Sequence, residues 1–84
     1  MSAPYDTEEL RQLLVAILRK EPRQAKIALM AAAPLTGDTL AIKGQLEDWI
    51  HSSLQALSQK RAPRPPSAEL KRLAKALLDH HFPG

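Results

Sequence analysis

The sequence predicts an all-α fold, a small bundle of about four helices with the last joined by a Pro-rich linker, on three observations. Prolines and capping residues divide a Leu- and Ala-rich chain into four segments. Within each segment the apolar residues recur at the i, i+3, i+4 spacing of a helix with one buried face. No glycine-rich loop or other catalytic signature interrupts them, since glycine occurs only at positions 37, 44 and 84. A chain of 84 residues has room for one domain, and a chain of this size buries a modest share of its unfolded surface. Tyr5, Trp49 and Phe82 are the only aromatics, so the core falls to Leu, Ile and Ala. Cores of this kind gain from tight helix packing or association, and a homodimer is the simplest expected assembly.

The first helix is expected from about Thr7 to Lys20. Asp6 suits the N-cap, Glu9 sits three residues on where it completes a capping box, and Tyr5 and Leu10 take the positions of a hydrophobic staple. Leu10, Leu13, Leu14, Ile17 and Leu18 form the apolar stripe, Arg19 and Lys20 suit the negative end of the helix dipole, and Glu21 before Pro22 ends the helix. Pro22 opens the second helix, expected to run to about Ala33 before Pro34 stops it. From Ile27 to Ala33 this segment is apolar all round, which predicts burial on more than one side and the central place in the fold. Ala28, Ala31 and Ala32 are small enough to admit neighbouring helices closely.

Pro34, Thr36, Gly37 and Asp38 form a turn cluster, and Asp38 is expected to cap a third helix running to about Ser58. Its core face is Ile42, Leu46, Trp49, Ile50, Leu54 and Leu57, with Trp49 as a core or interface anchor. Gly44 on the other face weakens the helix by about 1 kcal/mol relative to alanine and points to a break or kink near Lys43. Residues 61–66, rich in Pro and Arg, read as a stiff, extended linker. Ser67 then caps a last helix to about His81, with Leu70, Leu73, Ala74 and Leu77 on one face and Lys71, Arg72, Lys75 and Asp79 on the other. The domain reading is therefore a three-helix core over 1–60, a linker over 61–66 and an amphipathic helix over 67–84. The shared pattern of the first and last helices, Glu9-Leu10-Arg11-Gln12-Leu13 and Glu69-Leu70-Lys71-Arg72-Leu73, is read as convergence on good helix formers.

Composition narrows the function classes. The absence of cysteine excludes disulfides and thiolate zinc sites. The longest apolar run, Ile27 to Leu35, is far short of the roughly 20 residues that span a bilayer. With no signal-like N-terminal pattern, the expected location is the cytoplasm. Net charge is +3, concentrated in a basic patch of Arg19, Lys20, Arg23 and Lys26 and a second cluster of Lys60, Arg61, Arg64, Lys71, Arg72 and Lys75. Interspersed acids keep this below the usual nucleic-acid footprint. Asp48, His51 and Ser52 share a helical face but face away from the inferred core, and one helix offers no oxyanion donors, so no catalytic residue is assigned. Asp79, His80 and His81 carry metal-type ligands, but adjacent helical residues diverge by about 100°, and the histidines are assigned instead to the helix dipole. No metal and no cofactor are expected.

These readings converge on a non-enzymatic interaction module: an adaptor, regulator or inhibitor that docks on another protein or on a second copy of itself. The last helix is expected either to close the bundle or to bind in a partner's groove, and in the second case the partner-binding residues are Leu70, Lys71, Arg72, Leu73, Lys75 and Leu77. The alternative is a nucleic-acid-binding regulator that uses the basic clusters at 19–26 and 60–75, including Arg61 and Arg64.

Overall fold

Leu10, Leu13, Leu14 and Ile17 share one helical face, and in the computed structural model each is no more than 1% exposed. The structure describes residues 7–31, 35 and 37–82. Among them lie four α-helices and no strand: α1 (Thr7–Leu18), α2 (Pro22–Ala31), α3 (Lys43–Ser58) and α4 (Ala68–His81), with a 3-10 helix (Gly37–Ile42) leading into α3. None is long and apolar enough to cross a membrane. The all-α expectation is met. Asp6 and Tyr5, the expected cap and staple of α1, lie outside the described residues, as do Ala32, Ala33 and Pro34.

The centre of the fold is α1, which packs on both α2 and α4. The sequence reading placed α2 there, and the reason for the difference is side-chain size. The inward face of α2 is Pro22, Ala25 and Ala28, small residues that let α2 lie close on α1 but bury little. Its larger residues Ile27 and Met30 stay 60% and 74% exposed. The core is completed by Ile42, Leu46, Trp49 and Ile50 from the third segment and by Leu70, Ala74 and Leu77 from α4. Leu54 and Leu57, expected on the same face, are half-buried.

Asp38 does not cap α3. The chain enters through the 3-10 helix, whose three-residue turn puts Thr39 and Ile42 on one side, and both are fully buried. The α-helix starts at Lys43, the place of the break that Gly44 suggested, with Ile42 at the N-cap and no side-chain cap. The Ser67 cap holds as expected: its hydroxyl oxygen accepts from the Leu70 N–H at 3.0 Å. The segment 61–67 has no helix, yet it is no free tether. The Arg64 carbonyl accepts from the Trp49 indole N–H at 2.9 Å and from the Ser53 hydroxyl at 3.4 Å, and Pro66 is buried. This strap lies on α3 and delivers α4 to the bundle.

α1 and α3 end in the same way. Lys20 N–H bonds to Ile17 O at 3.1 Å and Glu21 N–H to Ala16 O at 2.9 Å; Lys60 N–H bonds to Leu57 O at 3.0 Å and Arg61 N–H to Ala56 O at 2.8 Å. These are paired Schellman bonds, and they require a left-handed residue, here Lys20 with φ 60° and Lys60 with φ 59°. Glycine is the residue that takes this conformation without a Cβ penalty. Both lysines are exposed, so Lys60→Gly is expected to raise stability by about 1 kcal/mol in urea denaturation, and Lys20→Gly to act alike.

Candidate docking surface

The outward face of α2 follows from its helical register. Arg23, Lys26, Ile27 and Met30 lie within about 100° of one another around the axis, opposite Ala25 and Ala28. All four are exposed. α2 therefore stands as a ridge between two grooves of about 480 Å³ each. One, shared with α1, is lined by residues including Gln12, Val15, Arg19, Gln24 and Ile27. The other, shared with α3, has an apolar lining of Leu29, Met30, Ile50 and Leu54, with Lys26 on the α2 side and Glu47 and His51 on the α3 side. No ion pair joins Lys26 to Glu47. Leu40 of the 3-10 helix, at 53%, is the remaining large apolar side chain left in solvent among the described residues.

The residues expected to bind a partner separate by burial. Leu70 and Leu77 are in the core and Leu73 is half-buried, so the apolar stripe of α4 is spent on closing the bundle. Lys71 is half-buried, while Arg72 and Lys75 face out. Arg72 lies 3.7 Å from Glu69, an exposed i,i+3 pair that contributes a few tenths of a kcal/mol at most. The basic patch residues Arg19, Lys20, Arg23, Lys26, Arg61 and Arg64 are all exposed. Arg61 and Arg64 line one groove of about 380 Å³ with Ser52, Gln55 and Gln59, and the Arg61 guanidinium donates to the Gln59 side-chain carbonyl. Trp49 is 6% exposed and sits in the core, its indole bound to the strap.

Ser52 donates its hydroxyl to the backbone carbonyl of Asp48 at 2.9 Å, the bond of a serine folded onto its own helix, and Asp48, His51 and Ser52 are exposed. A different trio comes together at the other end of the sequence separation. His81 Nε2 approaches the Asp38 carboxylate at 3.0 and 3.3 Å, joining the end of α4 to the start of the 3-10 helix, and the ring of His80 stands edge-on to that of His81 at 5.0 Å between centroids.

Sequence reasoning missed Ile27 and Met30 because an all-apolar run carries no internal mark of which side faces water. The mark lay outside the run: Arg23 and Lys26 label the face that Ile27 and Met30 share. No protein-family model, curated protein sequence or solved structure matches the chain.

Proposed function

We propose that this protein is a non-enzymatic interaction module, an adaptor, regulator or inhibitor that works by docking, and that its docking surface is the α2 ridge with the α2–α3 groove. The carrying observation is the exposure of Ile27 and Met30 beside an apolar groove. Scattered apolar residues are ordinary on a surface, whereas adjacent large ones bordering an apolar trough mark a place where another chain is buried. The occupant is a second copy of the chain. The groove carries a free cation on its α2 side and a free carboxylate on its α3 side, and a surface that meets its own image across a twofold axis satisfies both at once, Lys26 of each copy against Glu47 of the other.

Light scattering across a concentration series tests this. The wild-type chain is expected to move from monomer to dimer mass as concentration rises to hundreds of micromolar, and Met30→Glu is expected to stay monomeric with unchanged helicity. Two charges brought into an apolar contact without partners oppose association strongly. A wild-type monomer throughout removes the second copy as occupant. If Ile27→Glu and Met30→Glu together also leave the set of proteins captured from native lysate unchanged, docking at α2 is wrong.

A second reading, nucleic-acid binding, is favoured by Arg61 and Arg64 lining one groove. It requires affinity for random DNA or RNA that falls steeply with salt, and that Arg61→Ala with Arg64→Ala reduces the slope.

A further inference from the structure

We propose that Asp38, His80 and His81 form a binding site for a divalent transition-metal cation of the zinc type, which staples the end of α4 to the start of the 3-10 helix. The three residues each bring one donor atom, and these donors lie within 4.8 Å of one another. Around a zinc ion with bonds of about 2.0–2.1 Å, tetrahedral donors stand about 3.3 Å apart. His81 Nε2 and Asp38 Oδ2, at 3.0 Å, already have nearly that separation. The His80 donor has to close by about 1.5 Å at most, within reach of side-chain rotation because His80 is exposed.

The donor set decides the class of ion. Two imidazoles and one carboxylate suit Zn²⁺ and its neighbours Ni²⁺ and Cu²⁺, while Ca²⁺ and Mg²⁺ favour oxygen ligands. Water completes the coordination. Adjacent histidines on a helix leave its axis about 100° apart, but here their rings stand 5.0 Å apart between centroids, and the third donor arrives from a residue 43 positions earlier in the chain. On binding, the His81 imidazole is neutral with its hydrogen on Nδ1, so the Nε2 lone pair goes to the metal and the Nε2–Asp38 hydrogen bond gives way to coordination. No bond changes oxidation state. The ion replaces one hydrogen bond with three coordinate bonds across a long chain closure, so it holds α4 on the bundle more firmly.

The test uses the full-length chain without an affinity tag, titrated with Zn²⁺ alone by calorimetry and melted with and without the ion. The wild type is expected to bind one equivalent and to gain several degrees in Tm at Zn²⁺ well above Kd. Asp38→Asn, His80→Ala and His81→Ala are each expected to weaken binding by about tenfold or more and to remove the Tm gain, since losing one of three direct donors exceeds the loss of an outer-shell partner. Asp48→Asn, an exposed carboxylate of α3 outside both this site and the α2–α3 groove, serves as the control and should bind as wild type does. Circular dichroism before titration confirms that each variant is folded. Heats that do not saturate near one equivalent overturn the proposal. So does an Asp38→Asn variant that binds and melts like wild type, because the ion would then be held by surface histidines without the staple.

Discussion

Trp49→Ala is expected to lower the unfolding free energy by about 3–5 kcal/mol, the range for emptying a fully packed aromatic site. Trp49 is 6% exposed among Leu46, Ile50 and the rest of the core, so the truncation leaves a cavity. It also removes the donor to the Arg64 carbonyl and with it the main polar tie of the strap to α3. Trp49→Phe separates the two effects: it keeps most of the apolar volume and should cost about 1–3 kcal/mol, mainly for the lost hydrogen bond, because the Arg64 carbonyl keeps only the longer bond from Ser53. Urea denaturation read by circular dichroism gives both numbers. An alanine variant as stable as wild type would show that the indole is not part of the folded core.

Truncation after Ala62 is expected to do more, removing cooperative unfolding altogether. The cut deletes Leu70, Ala74 and Leu77 and uncovers the α4-facing side of α1, whose Leu and Ile side chains are the centre of the core. Each large apolar side chain returned to water costs about 1.5–3 kcal/mol, and several together exceed what a domain of this size has in hand. It also deletes the Arg64 carbonyl that receives the Trp49 and Ser53 donors. The readouts are the thermal melt and the solubility of residues 1–62. A truncated chain that keeps a sharp melt at the wild-type midpoint would make α4 a dispensable appendage, and the docking role would return to its stripe. In that event Leu70, Leu73 and Leu77 become the residues to mutate.

The substitution and the truncation also bear on the docking proposal, because they act on the core and leave Ile27 and Met30 in place. Loss of self-association in Trp49→Ala accompanied by loss of fold reports on stability. Loss in Met30→Glu with the fold intact reports on the interface.

The local sequence determined the helices themselves. Apolar periodicity marks α1 and α4, Pro22 opens α2, Ser67 caps α4, and the weakness at Gly44 marks the passage from 3-10 to α-helix. These are short-range effects, carried by backbone hydrogen bonds and steric limits within a turn or two, and they are legible without knowing the fold. Tertiary structure decided which apolar surfaces meet. Residues 27–31 are equally apolar on every side; Arg23 and Lys26 mark their outer face, but packing against α1 is what buried the alanine face and left Ile27 and Met30 in water. The stripe of α4 had to be covered, but by what depended on a strap whose hold on Trp49 is a contact between residues 15 positions apart. Asp38 reads as a helix cap because its neighbours suit one. It faces His81 instead because the closed bundle brings the last turn of α4 to the start of the 3-10 helix, and burial of Thr39 and Ile42 orients that turn. Contacts between distant residues depend on the whole chain closing at once, which no local spacing encodes.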